Sequence, residues 1–192
     1  MMAGHPNETV PDGLRNIGFA LHMGENDNAY NRNKVAADWK QQLGNLHEAD
    51  PSGYVHQAVI HEGKGHWMDR QETIAFPWMA EFIRNPYPQK VVWVQDDVLH
   101  DQFYWIGVKQ PKARTKIVAS INGQTITVHE SDVKEITFYL NDSMLDLNQP
   151  VRVEYEAKLV GSFQLHRNYD TIQDTLRDPK DFYTASLSIS MP

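Results

Sequence analysis

Residues 16–27, NIGFALHMGEND, begin with a mostly apolar run that ends at a glycine and is followed by polar residues. The apolar part, residues 16–23, is typical of a strand buried on both faces of a parallel sheet. Residues 33–49 follow with apolar side chains at helical spacing. A second strand is predicted at residues 54–61 and a second helix at residues 71–84. Strand, helix, strand and helix in this order predict an α/β domain with a parallel sheet.

The sequence changes character at Pro86-Tyr87-Pro88, which predicts a domain boundary. Beyond it, short strand-like segments alternate with turn residues, and Asn122-Gly123 between two alternating runs is a strong hairpin signal. About eight short strands with regular turns are typical of a β-sandwich. We therefore predict an α/β domain over residues 1–87 and an all-β, sandwich-like domain over residues 88–192. The strands are predicted at residues 90–95, 103–108, 116–121, 125–129, 135–140, 151–156, 159–165 and 182–190.

Composition limits the classes of function. The 192 residues carry 18 basic and 25 acidic side chains, a net charge of −7, whereas nucleic-acid binding requires a basic surface. No apolar run reaches the roughly 20 residues that span a bilayer. The chain has no cysteine, which excludes disulfides, thiolate nucleophiles and cysteine-bound zinc. We therefore expect neither a nucleic acid nor a membrane as a partner.

Two loops carry the residue types of a catalytic site. The sequence GEND, residues 24–27, follows the first predicted strand, and GKGHW, residues 63–67, follows the second. Ligands and catalytic groups collect at the carboxyl ends of parallel strands, so Asp27 and His66 are expected to meet there. A carboxylate that accepts a hydrogen bond from Nδ1–H fixes the imidazole tautomer and stabilises the imidazolium. The two loops thus predict an acid–histidine pair.

These two motifs resemble those of α/β-hydrolases. LHMGENDNAYNR, residues 21–32, is similar to the strand and turn that carry the triad acid, and HEGKGHWMD, residues 61–69, resembles the histidine loop. The enzymes of this family carry the nucleophile, the acid and the histidine in that order along the chain. The resemblance covers residues 14–86 and is greatest to dienelactone hydrolases and prolyl-oligopeptidase-like esterases. It implies that Asp27 is the triad acid and His66 the general base.

The sequence departs from the family at the nucleophile. It contains no Gly-x-Ser-x-Gly, and none of its eight serines follows the pattern of a strand-to-helix turn. MMAGHPN, residues 1–7, is similar to the end of the strand that follows the nucleophile helix in the family. The resemblance implies the C-terminal part of a serine hydrolase that is inactive alone and needs no cofactor or metal. The expected partners are a small-molecule ester or peptide substrate, a complementing N-terminal part, and further copies of the chain.

Other interpretations of these loops stay open. Glu25 competes with Asp27 for the role of the acid. His61 and His66 resemble a zinc-binding pair, although a spacing of five residues with two glycines between them does not fit one face of a helix. The positions of the side chains in the two loops test both alternatives.

The remaining alternatives concern other residues. Arg15 and Arg32 are candidates for binding a substrate carboxylate. Tyr104 and Trp105, consecutive in a predicted strand, are expected on opposite faces. The all-β domain is alternatively a non-catalytic binding module with a sugar-binding surface made of tryptophans. The candidates are Trp67, Trp78, Trp93 and Trp105.

Overall fold

The computed structural model describes residues 9–176 and 181–191, so the motif MMAGHPN lies outside the described residues. The described part of the chain has a mixed α/β fold that consists mostly of β-sheet, with eleven strands in three sheets and three α-helices. The chain divides into two compact units, residues 1–84 and 85–192. The boundary predicted between residues 87 and 88 lies in the same proline-containing segment.

The first unit contains a parallel pair of strands with a helix between them in the chain. Strand β1, Phe19–Gly24, pairs with β2, His56–His61, over the full length of both strands. Helix α1, Arg32–Ala49, connects the two strands and packs its apolar side chains on β1. Among the described residues this sheet has two strands, so the wider parallel sheet of an α/β-hydrolase is not seen in this part of the chain. The core of the unit comprises Leu21, Met23, Ala36 and Trp39.

The second helix of this unit is much shorter than the sequence predicts. Gln71–Ile74 forms a 3-10 turn and α2 spans Ala75–Met79, whereas a helix was expected over residues 71–84. Phe76 and Ile83 of the predicted helix are exposed. A short helix in water is stabilised mainly by burying an apolar face, and this segment buries little of its own. The prediction was therefore wrong in length because apolar spacing alone does not show what an apolar face packs against.

The described residues of the second unit form nine strands in two sheets. The five-stranded sheet has the order β10-β9-β7-β6-β3 and the four-stranded sheet the order β11-β8-β5-β4. Neighbouring strands are antiparallel, except that β7 and β9 are parallel. The strands are β3, Lys90–Val94; β4, Gln102–Phe103; β5, Ile106–Gly107; β6, Lys116–Asn122; β7, Thr125–Ser131; β8, Glu135–Leu140; β9, Val151–Tyr155; β10, Lys158–Phe163; and β11, Ala185–Ser190.

Both sheets of the second unit contribute to one buried core. Alternate residues of β6 are buried, and the same alternation occurs in β11. This is the pattern of antiparallel strands with one face on a core and the other in solvent. Gly123, with a φ of 55°, lies in the tight connection between β6 and β7, where the sequence predicted a hairpin. The largest buried side chains of the core include Trp105, Phe138 and Tyr183.

The strand predicted over residues 103–108 is divided in two. Tyr104 has a φ of 52°, a left-handed backbone conformation that interrupts the strand between β4 and β5. Tyr104 and Trp105 lie in the turn between β4 and β5, and both are buried, at 7% and 0% exposure. The Trp105 indole donates a hydrogen bond to the carbonyl oxygen of Pro88 over 2.7 Å.

A helix that the sequence did not predict precedes β11. Helix α3, Tyr169–Thr175, begins after Asn168, whose side-chain oxygen accepts a hydrogen bond from the backbone N–H of Thr171. This is an ordinary N-cap, and an asparagine at this position was the available signal. Among the described residues, no helix has both the length and the apolar character needed to cross a membrane.

Candidate functional site

Asp27 and His66 form a hydrogen-bonded pair at the ends of β1 and β2. The Nδ1 atom of His66 lies 2.9 Å from Oδ2 of Asp27. The Asp27 side chain is 4% exposed and the His66 side chain 45%. None of the described residues forms a hydrogen bond with Nε2 of His66. The imidazole therefore has one nitrogen on a buried carboxylate and the other without a protein partner in the described part of the chain.

Local hydrogen bonds fix Asp27 at the turn after β1. Its backbone N–H donates to the carbonyl oxygen of Gly24 over 3.1 Å, which closes the turn, and its carbonyl oxygen accepts from Asn33 N–H over 3.1 Å. The Asn33 side chain also donates to the carbonyl oxygen of Glu25 over 2.8 Å and to Oδ1 of Asn28 over 2.9 Å. The backbone of Asp27 is thus tied to the end of the strand on one side and to the first turn of α1 on the other.

The acid loop and the histidine loop are hydrogen-bonded to each other. Asn26 N–H donates to the carbonyl oxygen of Lys64 over 2.8 Å. The Glu25 carboxylate accepts from Gly63 N–H, also over 2.8 Å. Glu25, the alternative candidate for the acid, therefore holds the two loops together, and Asp27 is the carboxylate that contacts His66.

Gly24 allows the two loops to approach each other closely. A Cβ atom added at this position would lie 2.1 Å from the carbonyl oxygen of Gly65 and 2.6 Å from that of Lys64. Both distances are far below van der Waals contact, and both neighbours are backbone atoms. The glycine that ends β1 is therefore required for the observed distance between Asp27 and His66.

The two arginines considered for substrate binding are paired with aspartates. Arg32 donates from Nε and Nη2 to Oδ1 of Asp27, over 3.2 and 2.7 Å. Arg15 donates to Asp50 over 2.9 and 3.0 Å, and to Ser52 over 2.8 Å. Arg15 is buried and joins the start of the unit to the segment before β2. Each guanidinium thus binds an aspartate of the chain itself, which does not support the hypothesis that Arg15 or Arg32 binds a substrate carboxylate.

The electrostatics of the pair favour an ionised Asp27. Burial alone would raise the pKa of its carboxyl group. Hydrogen bonds from His66 and Arg32, together with the positive charge of the guanidinium, outweigh the burial and hold the pKa of Asp27 below its usual value. The carboxylate is therefore charged throughout the pH range in which an imidazole exchanges protons.

A pair of histidines on β1 and β2 was not predicted. His22 of β1 and His61 of β2 are both buried, and Nδ1 of His22 lies 3.0 Å from Nε2 of His61. Nε2 of His22 contacts Gln57 at 3.1 Å, and Nδ1 of His61 contacts Gln71 at 3.2 Å. The contact with Gln71 joins the two ends of the histidine loop. The available signal was that both histidines lie near the ends of paired parallel strands.

The zinc and sugar-binding alternatives find little support. His61 contacts His22 instead of sharing a ligand position with His66, and no cluster of three or more His, Asp or Glu side chains in the described part of the chain is placed to hold a metal ion. Trp93 and Trp105 are buried in the core of the second unit, so they cannot line a surface there. In the first unit Trp67 is 81% exposed, and its ring lies 5.6 Å from that of His66.

Comparisons of the chain with protein-family models, with curated proteins and with solved structures give no match. The function is therefore inferred from the chemistry of the two loops. A carboxylate on Nδ1 leaves Nε2 of a neutral imidazole able to accept a proton, which is what a general base requires.

Proposed function

We propose that this chain supplies the acid and the histidine of a serine-hydrolase triad that cleaves small-molecule esters or peptides. The observation that carries the proposal is the 2.9 Å contact between His66 Nδ1 and Oδ2 of the buried Asp27. When the imidazole is neutral, Nε2 carries no proton, because Nδ1–H is held by the carboxylate. The histidine is thereby prepared to act as a general base.

The proposed reaction is acyl transfer in two steps. Nε2 of His66 takes the proton of a serine hydroxyl as the serine oxygen attacks the carbonyl carbon of the substrate. The imidazolium, stabilised by Asp27, then gives this proton to the leaving alcohol or amine as the acyl-enzyme forms. Water repeats the sequence in the second step and releases the acid. No metal ion or organic cofactor is required.

The order of the elements supports this proposal. The acid follows one strand, the histidine follows the next, and one helix and one strand lie between them, which is the order found in α/β-hydrolases. We therefore propose that β1 and β2 are the C-terminal strands of an α/β-hydrolase sheet. The nucleophile is then a serine in a Gly-x-Ser-x-Gly turn on an N-terminal part, carried by a longer form of the protein or by a separate chain.

The test uses a biotinylated fluorophosphonate and a p-nitrophenyl ester. They are applied to the 192-residue chain and to an extended chain, in which the proposed N-terminal part, taken from the longer form or from the separate chain, precedes residue 1. We expect no labelling and no ester cleavage with the shorter chain. In the extended chain we expect labelling of one serine in a Gly-x-Ser-x-Gly sequence, identified by mass spectrometry.

Two results would contradict the proposal. Labelling of a serine within the 192 residues, such as Ser120, whose Oγ lies 2.8 Å from Nε2 of His129, would place the nucleophile in the present chain. An extended chain that is folded but neither labelled nor active would exclude the hydrolase function. In that case the binding-module alternative would be tested next, with partner binding to the second unit as the measurement.

A further inference from the structure

Asp27 has two partners, one on each carboxylate oxygen. Arg32 donates twice to Oδ1, and His66 contacts Oδ2. The terminal torsion of an aspartate is broad and has no sharply preferred rotamer. A carboxylate held by His66 alone would therefore be able to turn away from the imidazole, whereas the bonds from Arg32 oppose that rotation.

The position of Arg32 is unfavourable for the helix that contains it. Arg32 is the first residue of α1, where the helix dipole disfavours a positive charge. Tyr30, two residues before Arg32, has a φ of 54°, which is uncommon for a residue other than glycine. Its ring lies 5.8 Å from the guanidinium carbon of Arg32, within the range of a cation–π contact. The guanidinium is thus held between Tyr30 and Asp27 despite the local cost.

We infer that Arg32 is a positioning residue, which fixes Oδ1 of Asp27 so that Oδ2 remains on His66 Nδ1. The guanidinium also places a positive charge beside the buried carboxylate. This inference rests on the proposed function, because the orientation of Asp27 matters for catalysis only if His66 takes up a proton. The planar fork of a guanidinium places two N–H groups on one oxygen, whereas an ammonium group is a single point charge.

The role of Arg32 is orientation and not additional attraction for the imidazolium. Its positive charge offsets the negative charge of Asp27, so the guanidinium weakens the field that stabilises a protonated His66. If charge alone mattered, removing Arg32 would help catalysis. If orientation matters more, removing Arg32 would slow catalysis. The two possibilities therefore predict rate changes of opposite sign.

The first experiment is NMR on the 192-residue chain, which needs no nucleophile. Arg32→Gln is expected to move the titration of the Asp27 carboxyl carbon to higher pH and to abolish the slowly exchanging Nδ1 proton of His66. In Arg32→Lys the positive charge remains, so the Asp27 carboxyl carbon is expected to titrate at the same pH as in the wild type. The NMR signal of the His66 Nδ1 proton is expected to be lost. Lys34→Gln, which removes an exposed charge from the same turn of α1, is the matched control and should change neither signal.

The inference is wrong if Asp27 titrates at the same pH in Arg32→Gln and in the wild type. It is also wrong if Arg32→Lys retains the Nδ1 proton of His66, because charge without the fork would then be sufficient. Since Arg32→Lys keeps the ion pair, it remains a valid test even if Arg32→Gln does not fold.

The second experiment measures the rate of fluorophosphonate labelling in the extended chain. Arg32→Gln is expected to slow labelling on the order of 100-fold, as misplaced catalytic groups do, and Lys34→Gln should leave the rate unchanged. A folded Arg32→Gln variant that labels at the wild-type rate or faster would overturn the positioning role. Absence of labelling in the wild-type extended chain would instead refute the proposed function, while the NMR experiment would still report the contacts of Arg32.

Discussion

At the residue scale, His22 makes the stability of the first unit depend on pH. Burial, with a contribution from His61, lowers the pKa of His22 below 6.5, although a hydrogen bond with Gln57 and the charge of Glu72 oppose the change. The unfolded chain therefore binds this proton more readily than the folded chain. The contribution of neutral His22 to stability is complete above pH 6.5 and is lost as the pH falls below that value. We expect the free energy of unfolding in urea to decrease between about pH 7 and about pH 5.

The variant that isolates this effect is His22→Gln, which should reduce the dependence of unfolding on pH in that range. His166→Gln, at an exposed position of the second unit, is the control and should retain the wild-type dependence. An identical pH dependence in all three proteins would contradict the role of His22. The effect of Asp27 is separable, because its lowered pKa means that stability is lost only as the pH falls below 3.8.

Single residues were predictable from the sequence where strand ends determine their position. Asp27 and His66 follow two strands that the apolar pattern marks, so their proximity could be expected before the structure was known. The contacts of Arg32 and His22 could not, because each depends on which side chain lies opposite in space. Arg32 was considered a substrate ligand, and the structure places it on the acid.

At the scale of elements, the junction between β1 and the histidine loop depends on Gly24. Gly24→Ala would place a methyl group 2.1 Å from the carbonyl oxygen of Gly65, so the two loops must separate. We expect a loss of about 1–3 kcal/mol in the free energy of unfolding, typical of overpacking. The Nδ1 proton signal of His66 should also disappear, because the contact with Asp27 would lengthen.

Gly44 provides the matched control for this prediction. It lies within α1, and a Cβ atom added there meets nothing within 4 Å. Gly44→Ala should therefore stabilise the chain by about 0.5–1 kcal/mol through the higher helix propensity of alanine. Denaturant unfolding of both variants checks the pair of predictions. Equal effects of the two substitutions would show that close approach at Gly24 is not important.

Elements with a clear pattern were predicted well, and elements that depend on tertiary contacts were not. The apolar run of β1 and the helical spacing of α1 are local signals that the structure retains. The helix expected over residues 71–84 is shortened because much of its apolar face is exposed. The strand expected over residues 103–108 is interrupted at Tyr104, whose left-handed conformation has no signal in the sequence.

At the scale of the whole molecule, the two units differ in how much core each contains. In the part of the chain that the structure describes, the second unit holds two sheets around a large buried cluster, whereas the first unit has a two-stranded sheet and a small core. A two-stranded sheet is marginally stable by itself. We expect residues 85–192 alone to melt cooperatively and residues 1–84 alone to lack a cooperative transition. Thermal circular dichroism of the two fragments provides the check, and the reverse result would contradict this account.

The first unit is also expected to self-associate. Strands β1 and β2 pair with each other and with no third strand among the described residues, and Phe76 and Ile83 are exposed. Open strand edges and exposed apolar side chains favour association. We predict a dimer or a larger species by light scattering, shifted toward monomer by Ile83→Lys but not by Val98→Lys, which replaces an exposed valine of the second unit. A clean monomer with cooperative melting would be evidence against this prediction.

At this scale the sequence indicated two domains because composition and pattern change at the proline-containing segment. It did not indicate how the strands of the second unit divide between two sheets, since that division depends on pairings between segments far apart in the chain. The parallel pair β7 and β9 is an example. Strands that follow each other closely in the chain usually pair as antiparallel neighbours, but β8, which lies between β7 and β9 in the chain, belongs to the other sheet.

We propose that His66 acts as the general base and that the Asp27 carboxylate orients it. The most direct measurement is the rate of fluorophosphonate labelling of the extended chain, compared with its His66→Gln, Asp27→Asn and His166→Gln variants. The account predicts that His66→Gln and Asp27→Asn each slow labelling by at least about 1,000-fold, and that His166→Gln labels at the wild-type rate. Labelling of the His66→Gln variant at the wild-type rate would contradict the account.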